Sequence, residues 1–457
     1  MIIPRAEHNI SRSNINSNAL KVLYRLKEAG YEAYLVGGGV RDLLLGREPK
    51  DFDVATSALP DEVRAQFKQC RLVGRRFRLA HVGFGRDVVE VATFRASPTE
   101  ENGDSVVIEE DGRILRDNAY GNMVEDAFRR DFTVNALYYN IRDFSVVDYA
   151  DGLADLRAGV LRLIGDPALR YREDPVRMLR AVRFSVKLGF RLDPETERPL
   201  AEMAHLLLSI PAARLFEEVM KLFMSGCAVQ IFEALRHYGL FKHLFPATDF
   251  VLASEQGGFP RTFVVQALAN TDARIQQEKP VTPAFLFATL LWEPMRRRVE
   301  GYLRNGEQEF VAFQQAAQEI VREQGQVVSF PKRFSIPMRE IWAMQSRLQR
   351  TGGRAPQRLM THPRFRAAYD FLLLRAQAGE DLQPLCDFWT KLQENPEHER
   401  APTTELEARG PRRRRRRRGG SRSRESTDPL PVSSADSSEE DDAADDVVDE
   451  FDEEGEE

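Results

Sequence analysis

The pattern of apolar and polar positions changes near residue 160. Up to that point, short apolar runs alternate with helical segments, a pattern typical of an α/β domain with a mixed sheet. The runs that predict strands lie at residues 33–36, 52–55, 71–73, 80–83, 88–93 and 136–140. Residues 97–113 are polar and acidic without periodicity, so they predict a loop.

Beyond residue 163 the apolar positions recur with helical spacing, which predicts an all-helical region. From about residue 396 the chain loses large apolar residues, and we expect it to be disordered. A chain of 457 residues is too long for one ordinary core. The predicted fold is therefore α+β in four parts: a mixed-sheet domain at 1–160, helical domains at 161–255 and 256–395, and a charged tail at 396–457.

The tail divides into a basic part and an acidic part. Residues 436–457 carry fourteen Asp and Glu and no Lys or Arg. Removing these fourteen negative charges from the net charge of −6 leaves +8 for residues 1–435, a balance that suits a protein that binds a polyanion. The basic part contains a run that predicts sequence-independent contacts with RNA phosphates: Arg412, Arg413, Arg414, Arg415, Arg416, Arg417 and Arg418.

Cysteine usage and hydropathy predict the compartment. Cys70, Cys227 and Cys386 have no paired spacing, which suits a reducing compartment and argues against a disulfide framework or a zinc site. No apolar run reaches the roughly 18 residues of a membrane span, and the first residues lack the pattern of a secretion signal. We expect a cytoplasmic protein without a membrane span.

A glycine-rich turn follows the first predicted strand. Gly37, Gly38 and Gly39 interrupt the apolar run, and residues 40–45 predict a short helix that ends at Gly46. Backbone N–H groups at a turn that opens a helix can bind phosphate oxygens. We therefore interpret Gly37 and Gly38 as phosphate-binding positions.

Two carboxylates lie on the next predicted strand. Asp51 and Asp53 are two residues apart, so a strand places both on one face. Such a pair can hold two Mg²⁺ ions roughly 4 Å apart, the arrangement used for in-line phosphoryl transfer. Taken alone, a D-x-D pair is also a common solvated strand end, and glycine turns are common too. The two features in this order, with twelve residues between Gly38 and Asp51, indicate such a phosphoryl-transfer site far more specifically than either feature alone.

This order and spacing resemble those of the nucleotidyltransferase superfamily that includes poly(A) polymerases and tRNA CCA-adding enzymes. The resemblance implies that the first domain is a catalytic palm, that ATP is the substrate, and that Arg41 contacts phosphates. It also implies that residues 161–255 form a nucleotide-selecting neck and that residues 256–395 form an RNA-binding body.

Two further segments carry the resemblance. Glu90 lies in an otherwise apolar predicted strand, and related enzymes place a glutamate there beside the D-x-D strand. A structural Glu–Arg pair is the alternative. Residues 129–137 resemble the R-R-D-F-T-x-N-A motif, which implies that Asp131 joins the active-site carboxylates. A helix start with surface charges is the alternative here.

The first predicted helix after the palm carries a third motif. Residues 173–177 resemble the E-D-x-x-R motif, which implies that Asp174 and Arg177 read the base edge of the nucleotide. Arg180 continues the same arginine stripe at a spacing of three residues, and we assign it to the nucleotide site. A salt-bridged amphipathic helix is the competing interpretation.

Residues 72–82 distinguish the branches of the superfamily, because they resemble bacterial poly(A) polymerases rather than CCA-adding enzymes. Segments at 210–218, 282–288 and 362–370 agree, and the likeness runs from about residue 3 to residue 395. The implied function is template-independent addition of AMP to single-stranded RNA 3′ ends, with two Mg²⁺ ions. RNA-degradation factors are candidate partners, and nothing in the sequence demands an oligomer, so we expect a monomer.

Two alternative functions stay open at this point. A CCA-adding enzyme would use the same site, would accept CTP as well as ATP, and would stop after three additions. A non-catalytic RNA-binding protein with the same fold would lack a metal carboxylate, whereas Asp51, Asp53, Glu90 and Asp131 are all present.

The acidic end of the tail permits a direct test. As a hypothesis, residues 436–457 fold back on the arginine run and compete with RNA; the alternative is a solubilising segment without a regulatory role. If the acidic end competes, deletion of residues 430–457 will tighten RNA binding, most strongly at low salt. Equilibrium titrations across salt concentrations measure this, and an affinity equal to that of the full chain at every salt concentration contradicts the hypothesis.

Overall fold

The computed structural model describes residues 1–74, 78–96, 106–108, 114–117, 119–254 and 259–394. Its strands are β1 (Ile2–Ile3), β2 (Ala33–Val36), β3 (Asp53–Thr56), β4 (Cys70–Val73), β5 (Leu79–Phe84), β6 (Asp87–Thr93), β7 (Val106–Ile108), β8 (Ile114–Asp117), β9 (Leu137–Asn140), β10 (Val146–Asp148), β11 (Val160–Leu161) and β12 (Arg191–Leu192). The arginine run and the acidic end lie outside the described residues, so the prediction of a disordered tail has no structural counterpart here.

Among the described residues, five α-helices lie in the first 160 positions, and those beyond them range from four to nineteen residues. They are α1 (Ser17–Glu28), α2 (Gly38–Leu44), α3 (Pro60–Gln66), α4 (Met123–Phe128), α5 (Gly152–Ala158), α6 (Pro167–Glu173), α7 (Val176–Leu188), α8 (Pro194–Glu197), α9 (Leu200–Met203), α10 (Ala212–Phe223), α11 (Ala228–His237), α12 (Phe241–Leu244), α13 (Pro246–Ala253), α14 (Phe259–Gln276), α15 (Pro283–Leu290), α16 (Trp292–Arg304), α17 (Glu309–Val327), α18 (Lys332–Leu348), α19 (Ala355–Met360), α20 (Phe365–Gln377) and α21 (Gln383–Glu394).

Eight strands form one mixed sheet in the order β1-β10-β9-β2-β3-β6-β5-β4. Within it β3 and β6 run parallel, with Val54 opposite Val91 and Thr56 opposite Thr93, and the other neighbouring strands run antiparallel. The predicted architecture, a mixed sheet followed by helices, is confirmed. The sequence missed the short strands β1, β10, β11 and β12, which have only two or three residues each and therefore little periodicity to detect.

The prediction of a loop at residues 97–113 is wrong in part. Strands β7 and β8 pair antiparallel, with Val106 opposite Asp117, and β7 lies inside the predicted loop. The other residues of that segment lie outside the described residues. Only three of the seventeen residues are aliphatic, too few to show an alternating pattern, yet these three form β7 and pair with β8.

The main core is continuous from the sheet into the helical region. Buried residues from Ile3 to Ala378 belong to one apolar cluster, and a second cluster closes the last helices around Trp389. The predicted boundaries at residues 160, 255 and 395 therefore remain predictions. In the described residues, no helix is both long enough and apolar enough to span a membrane.

A close contact joins the palm sheet to α7. Phe132 and Phe184 are both buried and meet edge to face with ring centroids 5.9 Å apart. The backbone around Phe132 also bonds to the segment before α6, because Ile164 N donates to Asp131 O at 2.9 Å and Thr133 N donates to Arg162 O at 3.0 Å. These bonds fix the residue 129–137 segment against the start of the helical region.

Candidate active site

The glycine turn joins β2 to α2. Gly37 has φ +70° and ψ −134°, a conformation that side chains rarely adopt, and it precedes the helix directly. The helix begins at Gly38 and ends at Leu44, two residues earlier than the predicted start and one residue before the predicted end. A Cβ atom at Gly37 would lie 3.6 Å from Arg130 Nη1, so the turn lies close to this arginine. Its phosphate-binding role stays a prediction.

Asp53 and Glu90 lie side by side on neighbouring strands. Asp53 is the first residue of β3, and because Val54 pairs with Val91 in the parallel β3–β6 pair, Glu90 lies one step earlier in register with it. Both side chains therefore lie on one face of the sheet. Asp51 is exposed and precedes the strand. The structure thus brings together three of the four predicted catalytic carboxylates.

Asp53 carries an unfavourable negative charge in this setting. Burial raises its pKa, the nearby charges of Glu90 and Asp51 act in the same direction, and Arg130 opposes them, so that the pKa is about 6. A carboxylate of this kind gains from a cation. Among the described residues, no group of three or more His, Cys, Asp or Glu side chains is arranged to hold a metal ion. Asp51 and Asp53 nevertheless fit Mg²⁺, which is usually held by one or two carboxylates together with substrate phosphates and water.

Glu90 has a partner that the sequence did not predict. Its side chain is half exposed and lies 3.5 Å from His81 Nε2 across the β5–β6 pair. Among the described residues, Glu90 forms no ion pair with an arginine. His81 is partly exposed.

Asp131 contacts the helical region rather than the other predicted carboxylates. It accepts hydrogen bonds from Arg180 Nε at 2.7 Å, from Asn135 Nδ2 at 3.1 Å and from its neighbouring backbone N–H. Burial alone would raise the pKa of Asp131, but the Arg180 charge and these hydrogen bonds lower it to about 2. The assignment of Asp131 to the catalytic carboxylates stays a prediction; the geometry gives it a buried, ionised contact with α7.

Arg41 continues this chain of contacts to α2. Its guanidinium is 3 % exposed, donates to Asn135 Oδ1 at 2.5 Å and pairs with Asp42 at 2.8 Å. Hydrogen bonds therefore run from Arg180 through Asp131 and Asn135 to Arg41. Such a fully bonded network holds its side chains in one arrangement.

The charged residues of the E-D-x-x-R motif form ion pairs in the structure. Arg177 Nη1 donates to Glu173 Oε2 and to the Arg170 carbonyl oxygen, both at 2.7 Å. Asp174 accepts from Arg214 Nη2 at 2.7 Å. Arg177 and Asp174 are thus each held by another residue of the same region.

Arg170 is a residue that the sequence interpretation missed. Its side chain donates to Glu173 and to the carbonyl oxygens of Arg129 and Arg130, each at 2.7 Å. Arg170 lies about forty residues from the 129–137 segment in sequence, so no local pattern indicated the contact. The E-D-x-x-R motif itself, which contains Glu173, was the one available pointer.

The two arginines of the R-R-D motif differ in their surroundings. Arg130 is bonded to Asp126 at 2.9 Å and to Tyr138 at 3.0 Å. Arg129 Nη1 donates to the Ala96 carbonyl at 2.8 Å. Burial lowers the pKa of Arg129 to about 9, and the nearby charges of other arginines contribute. Those charges belong to Arg95, Arg170 and Arg177, and their field favours a bound polyanion.

Comparisons with known proteins agree with this geometry. Residues 33–162 match the family model described as "Poly A polymerase head domain". Residues 189–252 match "Probable RNA and SrmB- binding site of polymerase A", and residues 305–423 match "Polymerase A arginine-rich C-terminus".

Whole-length relatives are similar over most of the chain. The poly(A) polymerase I of Salmonella typhi is 50 % identical over 397 residues, which cover 86 % of this chain and 85 % of that protein. The poly(A) polymerase I of Haemophilus influenzae is 47 % identical over 86 % of this chain and 88 % of its own. A CCA-adding enzyme of Lactobacillus gasseri is 40 % identical, over 49 % of this chain and 54 % of its own.

Solved structures show a similar fold. The CCA-adding enzyme of Bacillus stearothermophilus in complex with CTP has a TM-score of 0.54 and 27 % identity, and the match covers 83 % of this chain and 82 % of that one. The Thermotoga maritima CCA-adding enzyme complexed with tRNA has a TM-score of 0.57 at 19 % identity, with 90 % and 88 % covered, so it supports the fold alone.

The raised pKa of Asp53 predicts how stability depends on pH. In the metal-free protein an ionised Asp53 is disfavoured, so its contribution to stability is present at low pH and is lost as pH rises from about 4 to about 6. Asp53→Asn removes this cost, and we expect the free energy of unfolding to rise by roughly 1–3 kcal/mol at pH 8 but little at pH 4.

Urea unfolding in the presence of a chelator measures the effect. Asp51→Asn is the matched control, because the Asp51 side chain is exposed and its removal should change stability by no more than about 0.5 kcal/mol. An Asp53→Asn protein that is equally or less stable than the parent at pH 8 contradicts the assignment of a strained carboxylate at this position.

Proposed function

Because the chain belongs to the bacterial poly(A) polymerase I family, we infer how its own residues carry out the reaction of that family. The protein adds AMP from ATP to RNA 3′ ends without a template and releases pyrophosphate. The observation that carries this conclusion is the identity of 47 to 50 % to poly(A) polymerase I proteins along 86 % of the chain. It is therefore a polynucleotide adenylyltransferase.

We propose that Asp51 and Asp53 hold two Mg²⁺ ions. The support is that Asp53 begins β3, that Asp51 precedes it by two residues and acts on its charge, and that the charge of Asp53 is unfavourable in the absence of a cation. When bound, two such ions lower the pKa of the attacking hydroxyl and neutralise the charge that develops on the triphosphate. Glu90 adds negative charge on the adjacent strand, and its proposed role is to complete the acidic cluster.

The triphosphate is assigned to the glycine turn. Gly37 and Gly38 offer backbone N–H groups where α2 begins, and Arg41 follows one turn later. Because Arg41 is fixed by Asn135 and Asp42, it is preorganised and loses little side-chain entropy when it contacts a phosphate.

Asp174 and Arg177 are proposed to recognise the adenine edge. A carboxylate acceptor and a planar guanidinium donor can pair with the amino group and a ring nitrogen of adenine. Glu173 and Arg214 hold the two side chains in place, and Arg180 is anchored to Asp131 nearby. This arrangement supports selection by shape and hydrogen bonding rather than by a template.

Single-stranded RNA 3′ ends are the proposed acceptors. The helical region and the arginines at 412–418, which lie outside the described residues, would supply contacts with RNA phosphates. RNA-degradation factors as partners, a monomeric state and a cytoplasmic location remain predictions from the sequence.

The alternative function of CCA addition has weaker support than polyadenylation, since the CCA-adding relatives match only about half of the chain. The reading as a non-catalytic RNA-binding protein loses its main argument, since the carboxylates Asp51, Asp53 and Glu90 are present and close together.

An extension assay tests the reaction. With Mg²⁺ and ATP alone, the protein should extend an unstructured RNA oligonucleotide into long, heterogeneous products, and Asp53→Ala should abolish extension because the metal site loses a ligand. A tRNA lacking its CCA end is the comparison substrate. Extension restricted to that tRNA, dependent on CTP and ending after three additions, would establish CCA addition instead.

Nucleotide selection provides a separate test of the base-reading pair. Arg177→Ala and Asp174→Ala should reduce kcat/KM for ATP by about 10- to 100-fold and reduce the preference for ATP over the other nucleotides, because a specific hydrogen bond to a base is worth about 1–3 kcal/mol. Lys27→Ala is the matched control, because it also removes one positive charge but lies in helix α1 of the palm. A preference for ATP that is unchanged in both variants contradicts the assignment.

A further inference from the structure

Three cations near the end of α7 form no ion pair with a carboxylate among the described residues. Lys50 and Lys187 are exposed and form no hydrogen bond or ion pair through their side chains there. Arg183 is only partly exposed, and its Nε atom is buried without a hydrogen-bond partner. A guanidinium in this condition is unusual, because a partly buried charge is normally paired.

Arg183 belongs to a cluster of arginines around one aromatic ring. The guanidinium carbons of Arg41, Arg180 and Arg183 lie 5.2, 5.1 and 4.7 Å from the centre of the Phe184 ring. Arg41 is paired with Asp42 and Arg180 with Asp131. Arg183 is the member of this group that lacks a carboxylate in contact.

The loop after α2 lies beside the end of α7. Arg47 Nη2 donates to the Leu188 carbonyl oxygen at 3.3 Å, which ties the loop that carries Lys50 to the helix that carries Lys187. The charges are close enough to act on one another: burial lowers the pKa of Lys187, and Lys50 and Arg183 lower it further. Asp42, Asp131 and Glu218 are the negative charges that act on this group, and none of them forms an ion pair with Lys50, Arg183 or Lys187 within the described part of the chain.

We propose that Lys50, Arg183 and Lys187 form a binding site for backbone phosphates of the RNA strand, separate from the triphosphate contacts of Gly37 and Arg41. The inference rests on the proposed function, since it gives the acceptor strand a defined place beside the carboxylates. The site is named the cation rim below.

The position of the cation rim favours RNA over ATP as the source of the phosphates. Because Lys50 directly precedes Asp51, a phosphate bound by Lys50 would lie next to the proposed metal ligands. Lys187 lies ten residues beyond Arg177, which corresponds to roughly 15 Å along a helix axis. An RNA strand that follows α7 has several phosphates along this length, and the charges of Lys50 and Arg183 both act on Lys187.

The double variant Lys50→Gln, Lys187→Gln in the full chain tests the proposal. We expect the KM for a hexa-adenylate primer to rise about 5- to 20-fold and the salt dependence of its binding to weaken by about 1–2 in the slope of log K against log salt, as expected for two lost phosphate contacts. The KM for ATP should remain within about twofold, because phosphodiester and triphosphate contacts are separate in this assignment.

A double variant of two lysines elsewhere, Lys27→Gln with Lys279→Gln, removes the same charge and should leave the primer KM near that of the parent. Arg183→Gln extends the test, with Arg183→Lys as the conservative variant that should recover part of the primer affinity. Thermal unfolding of each protein identifies a variant that has simply lost its fold.

Two outcomes overturn the assignment. If the KM for ATP rises while the primer KM is unchanged, the cation rim binds the triphosphate instead. If the primer KM rises equally in the control variant, the three residues contribute only to the general positive charge of the surface and do not form a specific site. If the parent protein added no AMP at all, the proposed function would fail instead, and equilibrium titration of hexa-adenylate without ATP would still decide whether the cation rim binds RNA.

Discussion

The ion pair between Asp131 and Arg180 holds the palm sheet and α7 in a fixed relation. It lies where the two parts meet, with Asp131 largely buried and Arg180 partly exposed, and the Arg180 hydrogen bonds to Asp131 are 2.6 and 2.7 Å long. Removing one partner would leave the other charge without its counter-ion, at a cost below the roughly 3–5 kcal/mol typical of a fully buried pair, because water reaches Arg180. Through Asn135 the same pair fixes Arg41 at the glycine turn, so a single contact aligns the proposed phosphate and base sites.

Two of the predicted site carboxylates have opposite electrostatic settings. Asp131 has a pKa of about 2 because an arginine and two N–H donors outweigh its burial, whereas Asp53 has a pKa of about 6 because burial and like charges combine. The first is a permanently ionised structural anchor. The second is a charge that the folded protein tolerates poorly by itself and that a bound cation would relieve. Environments that separate the pKa values of two similar groups often accompany a division of their roles.

Local patterns in the sequence were enough to predict the sheet strands around the site, but the strand predicted from residue 52 begins at Asp53, so Asp51 lies before it. They were not enough for the side-chain partners. Asp174 has the extended values φ −151° and ψ 91° between α6 and α7, and its carboxylate pairs with Arg214. Glu90 meets His81 because of the strand register, and Arg214 meets Asp174 across forty residues of sequence. Contacts of that kind depend on tertiary packing, which no local spacing records.

The parallel pairing of β3 with β6 has a consequence for the scale of the site. Neighbouring strands in a sheet are held about 4.8 Å apart by their backbone hydrogen bonds. Asp53 and Glu90 are in register on this pair, so the backbone hydrogen bonds between the two strands fix the distance between the backbones of these residues. The sheet therefore sets the separation of two of the predicted carboxylates, Asp53 and Glu90, whereas the position of Asp51 depends on the loop that precedes β3. A change in the length of that loop would move one proposed metal ligand and leave the other two carboxylates in place.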